Sequence, residues 1–162
     1  MSYDNLTAHK TESEIGWGVL ASATFNVMNR LQVYGQGVYG KGIGQFLNDM
    51  SMLNVDVVPN PEKEGKMQVL PMMGWFAGMQ YNFSPKVFIT STYGQSRLYS
   101  HDGYPVTASD QYRYGQYLNA TLFWNITSDL QAGAEYLRGW RTDFNGDTRH
   151  ANRVNLAVQY SF

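Results

Sequence analysis

Cysteine is absent from the 162-residue sequence, and charged residues are scarce. Without thiols the chain forms neither a disulfide framework nor a thiolate metal site. There are 12 Lys and Arg against 13 Asp and Glu, for a formal net charge of −1. This balance argues against a nucleic-acid partner, which needs a strongly basic face. The charged fraction is 15%, whereas ordinary soluble domains reach about 25%.

Long hydrophobic runs are also missing, so no segment approaches the roughly 20 apolar residues of a membrane helix. The mean hydropathy is −0.39, but this value does not exclude a membrane protein, because barrel strands alternate apolar and polar residues. The N-terminal segment MSYDNLTAHK lacks the apolar core of an export signal. We therefore expect the chain to begin partway through a longer protein.

The last segment of the chain has the clearest pattern, because apolar and polar residues alternate strictly from Arg153 to Phe162. Apolar side chains occupy every second position: Val154, Leu156, Val158, Tyr160 and Phe162. A period of two places them on one face of a β-strand and has no helical interpretation. A soluble edge strand can also alternate, so the argument depends on repetition along the chain.

The same alternation recurs upstream and predicts about eight strands in one domain, residues 1–162. We place the strands near 2–10, 14–27, 30–40, 68–83, 87–99, 110–125, 130–143 and 149–162. One face of these strands is apolar or aromatic, and the other is rich in Gly, Ser, Thr, Asn and Gln. Aromatic residues gather near both strand ends, as in the girdles of membrane barrels. The predicted fold class is an all-β, transmembrane, antiparallel up-and-down barrel surrounded by membrane lipids.

The connections between these strands alternate between short turns and longer polar loops. Short turns are predicted near 27–29, 84–86 and 127–129, and the longest loop is 41–67. Outer-membrane barrels have short periplasmic turns and longer outer loops. We therefore expect a bacterial outer-membrane location with a periplasmic C-terminus, and eight strands would place residue 1 on the periplasmic side too.

The loop 41–67 is longer than most structureless loops, and its segment GKGIGQFLNDM contains apolar residues suited to packing. If the loop folds inward, these residues would constrict a pore: Gly42, Ile43, Gly44, Gln45, Phe46, Asn48 and Asp49. The glycines allow positive φ or a close backbone approach. The alternative is an outer loop that packs on its neighbours or on an adjacent subunit. The polar segment 54–66 is expected to be exposed.

Two architectures fit about eight strands. They could close into a small barrel whose interior is filled by side chains, which would be a non-conducting structural or adhesion barrel. However, the inward positions are mostly small, and a long inward loop needs a wide pore. We therefore favour the C-terminal half of a barrel of about 16 strands.

Several polar side chains share the parity of the inward positions and are candidates for lining a pore: Arg113, Arg141, Arg153, Glu135, Asn119 and Gln159. The three arginines lie on successive strands and would form a positive path that favours anions. The alternative is that they pair with Glu135, Asp110 and Asp143 and only brace the wall. Arg138 has the outward parity.

Four segments resemble the DcaP-like trimeric porin family: YGQGVYGKGIGQFLND, GMQYNFSPK, RYGQYLNATLFWNITSDLQAGAEYL and DTRHANRVNLAVQYSF. The resemblance covers essentially the whole chain but only the C-terminal half of a typical member. It implies a 16-stranded barrel, a homotrimer, and passive uptake of small hydrophilic solutes with a preference for organic anions. Tyr160 and Phe162 form an aromatic terminus of the kind that the barrel-assembly machinery recognises in most outer-membrane barrels.

The sequence contains only weak signals of a catalytic or metal-binding site. His9, His101 and His150 are scattered and lack the spacing of a metal site. Ser96 and Ser100 lie near His101, but nucleophilic catalysis needs a third, orienting group. We predict that the protein is not an enzyme and that it has neither a metal nor another cofactor.

Overall fold

The computed structural model describes residues 2–5, 9–105 and 109–162. Its main element is a seven-stranded antiparallel sheet in the order β3-β4-β7-β8-β9-β10-β11. The strands are β3 (Trp17–Met28), β4 (Leu31–Lys41), β7 (Pro71–Asn82), β8 (Val87–Leu98), β9 (Tyr112–Asn125), β10 (Leu130–Asp143) and β11 (Thr148–Tyr160). Each strand pairs with the next strand of this sheet along the chain, so the predicted all-β, antiparallel up-and-down fold is confirmed.

These seven strands contain 11 to 14 residues each, which is long enough to cross a bilayer when tilted. In the part of the chain that the structure describes, no helix has the length and apolar character needed to cross a membrane.

The short turns at one end of the sheet are stabilised by side-chain hydroxyl groups that accept hydrogen bonds from backbone N–H groups of the turn. The Ser84 hydroxyl accepts hydrogen bonds from the backbone N–H groups of Lys86 (3.2 Å) and Val87 (3.1 Å). The Thr127 hydroxyl accepts from Asp129 (3.3 Å) and Leu130 (3.0 Å). Such local bonds favour tight turns. We call this end of the sheet the turn end and the opposite end the loop end.

The single strand predicted near 2–10 is wrong for the described residues, and the main sheet contains seven strands where about eight were expected. β1 (Ser2–Asn5) and β2 (Lys10–Ser13) pair with each other, from Ser2 opposite Ser13 to Asn5 opposite Lys10. This hairpin forms a sheet of its own. Residues 6–8, within the predicted strand, lie outside the described residues. The chain therefore enters the main sheet at the loop end through β3, and residue 1, which eight strands would place on the side of the C-terminus, lies outside the described residues.

The connection between β4 and β7 carries structure of its own. It contains a 3-10 turn, Gly44–Phe46, and a hairpin of β5 (Val57–Pro59) and β6 (Met67–Val69). The expectation that residues 54–66 are exposed is wrong in part, because Val55, Val58 and Asn60 are buried. Val55 and Val58 pack in a core that the loop shares with the ends of the main strands, and the Asn60 amide donates to Gln68 Oε1 at 3.4 Å.

The seven-stranded sheet is open. Among the described residues, β3 pairs only with β4 and β11 pairs only with β10, so both outermost strands have one unpaired edge. The described residues therefore give no support to the closed eight-stranded barrel that the sequence left as an alternative.

Candidate functional site: the inner face and its loop

The two faces of the sheet differ in chemistry. We call the face on which the segment 42–56 packs the inner face, and the opposite one the outer face. One register row of inward residues crosses all seven strands and is polar throughout: Asn26, Gln32, Gln80, Thr90, Thr121, Glu135 and Asn155. We call it the polar row. The adjacent outward row is mostly apolar: Phe25, Val33, Met79, Ser91, Ala120, Tyr136 and Val154.

Side chains of the polar row bond to one another. The Glu135 carboxylate accepts hydrogen bonds from Asn155 (2.7 Å), Asn119 (3.0 Å) and Thr121 (3.1 Å). At the other edge of the sheet, Gln32 donates to Asn26 at 3.0 Å. The inner face therefore presents a continuous band of hydrogen-bonding groups. Glu135, a predicted wall residue, lies in this band, and Asn119, another, lies one inward row closer to the loop end.

The segment 42–56, which we call the inner loop, packs on the inner face near the loop end. Leu47 lies over Gly74, where a Cβ atom would collide with its side chain. Ile43 lies over Gly18, where a Cβ would come within 3.2 Å of Ile43 Cγ2. The chain enters the loop through Gly42, whose φ of 64° favours glycine. Two inward glycines thus make the room that two loop side chains occupy.

A small hydrophobic core lies between the inner loop and the sheet. Its buried members come from the loop and from the loop end of the strands: Ile43, Leu47, Met50, Val55, Val58, Leu70, Met72, Leu98 and Tyr112. Met50, Leu70 and Met72 are at most 1% exposed. Burying a side chain of this size contributes about 1.5–3 kcal/mol, so the position of the loop is fixed by packing.

Asp49 adds a polar anchor to this packing. Its carboxylate accepts hydrogen bonds from the hydroxyls of Ser96 on β8 and Tyr117 on β9. The Tyr112 hydroxyl contacts Ser96 Oγ at 2.5 Å and donates to its carbonyl oxygen at 3.1 Å. A carboxylate is a strong acceptor, so the loop is tied to the wall at this point. The sequence singled out Asp49 but not its partner hydroxyls, for which no local signal exists.

The other predicted loop residues divide into two groups. Gly42 and Gly44 are buried, and the Gly44 N–H donates to the Asp56 carboxylate within the loop. Gln45, Phe46 and Asn48 are exposed. Phe46 and Asn48 line a cleft of about 840 Å³ between the loop and the wall, together with Asn119 and Arg153. The loop does lie against the inner face, and its exposed residues project beside the polar wall.

The three predicted wall arginines have different surroundings. Arg141 is bound to Asp143, with its Nε donating to Oδ1 at 2.7 Å. Arg149 lies across the same carboxylate, its guanidinium nitrogen 3.6 Å from Asp143 Oδ2. Arg153 lines the cleft and forms no ion pair with a described residue. The described wall therefore has no continuous ladder of arginines without acidic partners. The Asp143 carboxylate, 1% exposed, neutralises the arginines at the loop end of the sheet.

Arg113 lies at a β-bulge, where the pairing between β9 and β10 shifts at Thr142 and Asp143. Tyr114 pairs with Thr142, and Tyr112 pairs with Asp143 on the inner face. The alternation that predicted an inward Arg113 does not hold across this bulge, because a bulge inserts an unpaired residue. The Arg113 guanidinium lies 5.9 Å from the centroid of the Tyr114 ring.

The remaining predicted residues lie at the turn end of the sheet. Gln159 pairs with Gln131 on the inner face. Tyr160 pairs with Leu130 on the outer face, and Phe162 follows the last strand as an exposed side chain.

In the described part of the chain, the histidines and serines considered for catalysis or metal binding have separate surroundings. Among residues 2–5, 9–105 and 109–162, no cluster of three His, Asp or Glu side chains could hold a metal ion. The Ser96 hydroxyl is engaged by Asp49 and Tyr112. His150 lies on the outer face beside Trp140. The absence of enzymatic activity remains a prediction.

Comparison with known proteins identifies the fold. No family model matches the sequence, and no curated protein matches it. Among solved structures, the chain is similar to the outer membrane channel DcaP of Acinetobacter baumannii, with a TM-score of 0.77 at 22% sequence identity. The match covers 97% of this chain and 43% of that chain. The porin fold expected from the sequence is confirmed, and the chain spans less than half the length of the channel that it matches.

Proposed function

We propose that the protein forms part of a water-filled outer-membrane channel through which small hydrophilic solutes diffuse passively. The observation that carries this proposal is the polar row, which crosses all seven strands on the face opposite an apolar outer surface. A sheet with one face toward hydrocarbon and one toward water has this alternation. The described structure supports the wall of a channel, and the fold is that of an outer membrane channel.

The rest of the wall has to come from further strands. β3 and β11 each have an unpaired edge among the described residues, and an open edge inside a bilayer leaves backbone groups without partners. We propose that a longer chain supplies the missing strands and completes a barrel of about 16 strands. The homotrimer implied by the family resemblance is part of the same proposal, and so is recognition of Tyr160 and Phe162 by the assembly machinery.

The proposed orientation is supported by the lengths of the connections. The loop end carries the long connection between β4 and β7, whereas the turn end carries short turns. Outer-membrane barrels place their long loops outside the cell. We therefore propose that the loop end faces the exterior and that the C-terminus, which follows β11 at the turn end, is periplasmic.

The inner loop is proposed to set the bore of the channel. It is anchored by Leu47 over Gly74 and by Asp49 to Ser96 and Tyr117. Phe46 is 73% exposed and lies at the cleft, so it narrows the space beside the wall. Arg153, which also lines the cleft without an ion-pair partner in the described residues, is the group that we propose favours anions.

Planar-bilayer recording of the protein in its native chain length tests the proposal. We expect stepwise conductance increments, since passive diffusion requires an open aqueous path. Arg153→Gln should move the anion-to-cation permeability ratio toward cations, whereas Arg138→Gln removes the same charge from the outer face and should leave the ratio unchanged. A protein that inserts without conductance would refute the channel, and a ratio unchanged in Arg153→Gln would remove the role of Arg153.

A further inference from the structure

The acidic residues of the membrane strands lie on one face of the sheet only, whereas basic residues occur on both faces. In the seven strands of the main sheet, both acidic residues, Glu135 and Asp143, lie on the inner face. The outer face carries Lys41, Arg97 and Arg138, which share register rows with Trp17, Tyr114 and Leu118 respectively. All three lie in the half of their strand nearest the loop end. The outer face is therefore cationic at one end and contains no strand carboxylate.

Two guanidinium groups converge at this rim. Arg97 lies with its Cζ atom 5.7 Å from the centroid of the Tyr114 ring and 5.2 Å from that of Tyr99. The Cζ of Arg113 lies 5.9 Å from the same Tyr114 ring. Cation–π contacts of this kind orient a guanidinium without neutralising it. Neither arginine forms an ion pair within the described parts of the chain, so two guanidinium groups lie within 5.9 Å of one ring centroid without an acidic partner there.

An arginine on the lipid-facing surface is strongly destabilising near the middle of the bilayer and nearly free of cost at the interface. The position of Arg97, next to the last residue of β8, fits the interface. An interface with charge complementary to two guanidiniums contains lipid phosphates, and guanidinium binds phosphate through two parallel hydrogen bonds.

We infer that Arg97 and Arg113, arranged around Tyr114, bind the phosphate of a phosphorylated glycolipid in the outer leaflet. The choice of leaflet rests on the proposed orientation, in which the loop end faces the exterior. In the outer membrane of a Gram-negative bacterium that leaflet consists of phosphorylated glycolipid. The neighbouring outward side chains Gln95 and Gln116, paired in register, add hydrogen-bonding groups beside the site.

Native mass spectrometry of the purified protein in its native chain length, titrated with lipid A, tests the inference. The wild-type protein should bind bisphosphorylated lipid A at least about tenfold more tightly than its dephosphorylated form, because each basic residue contributes about 1 kcal/mol at a charged lipid surface. This comparison needs no substitution and so cannot fail through misfolding. The Arg97→Gln/Arg113→Gln double variant should lose a similar factor, while Arg30→Gln, which removes a charge at the turn end, should bind as the wild type does.

Three results would overturn the inference: equal binding of the two lipid A forms, an equal loss in Arg30→Gln, or equally tight binding of phosphatidylglycerol. The last result would mean that the site binds lipid phosphate of any kind. Conductance recorded on the same preparations separates this inference from the proposed function. Normal conductance without selective lipid binding refutes the lipid site alone, whereas missing conductance refutes the channel.

Discussion

The inner and outer faces of the main sheet are formed by the same strands, because successive side chains along a strand point to opposite faces. The polar row at Glu135 is flanked by outward rows that contain Ala134 and Tyr136. The inner face satisfies its polar groups with one another and with the inner loop. The outer face leaves Leu156 and Val158 more than 70% exposed. The difference shows that the two faces meet different solvents, because a row of exposed aliphatic side chains is stable only against hydrocarbon.

The largest expected effect is the difference in destabilisation between an arginine placed on the outer face and one placed on the inner face. Leu156→Arg places a charge on the outer face near the middle of β11, and we expect it to destabilise the folded protein in bilayers by about 2–4 kcal/mol. Ala157→Arg places the same charge one residue further along, on the inner face, and should cost much less. Urea unfolding in phospholipid vesicles measures both. Equal destabilisation by the two variants would contradict the assignment of the faces.

Glycine has a different role on each face, and a second pair of variants tests this. Gly74→Val puts a side chain into the space that Leu47 occupies and should weaken docking of the inner loop by about 1–3 kcal/mol. Gly37→Val is the matched change on the outer face, where a Cβ meets only Trp75 Cβ at 3.9 Å. Hydrogen exchange of residues 42–56 should rise in the first variant alone. Unchanged exchange in Gly74→Val would show that Leu47 does not hold the loop.

The polar anchor should contribute less than the packing. Asp49→Asn keeps one acceptor for the Ser96 and Tyr117 hydroxyls but removes the charge, and we expect a loss of about 1 kcal/mol in loop docking. A larger mean conductance, with more frequent transitions between current levels, is the measurable result. Asn48→Ala, at the exposed neighbouring position, should leave those transitions unchanged. If both variants behave alike, Asp49 is not the anchor.

The smallest expected effect lies outside the sheet, where the β1–β2 hairpin meets the long loop. Lys66 Nζ lies 2.6 Å from Glu12 Oε1, and its ammonium group holds the pKa of the Glu12 carboxyl at about 2, below its ordinary value of 4.5. A lowered pKa means that this contribution is present above pH 4.5 and is lost as the pH falls through about 2. The same hydrogen bond raises the pKa of Lys66 above 10.5, so the contact should also persist up to that pH.

Spin labels at Thr11→Cys and Glu64→Cys measure the contact between the hairpin and the loop. We expect a constant distance between about pH 4.5 and 10 and a broader distribution toward pH 2. Glu12→Gln should give the broad distribution at every pH. A distribution that stays narrow in Glu12→Gln would show that other contacts fix the hairpin.

Prediction from the sequence succeeded where alternation is strict and uninterrupted. Residues 130–143 were predicted as a strand, and β10 runs from Leu130 to Asp143. It failed at Arg113, because a bulge changes parity without any local sign, and near residues 2–10, where β1 and β2 pair with each other and not with the main sheet. The inner loop could be suspected from its apolar residues, but Gly18 and Gly74, which receive it, are far away in sequence.

The sequence by itself determined the strands and the chemistry of their two faces, because side-chain direction in a strand has a period of two and each residue carries its own polarity. The tertiary structure decided which arginines are neutralised, where Arg113 lies and where the loop docks. Those outcomes depend on contacts between distant strands, such as Asp143 with Arg149 and Leu47 with Gly74, and on a register that only the folded sheet establishes.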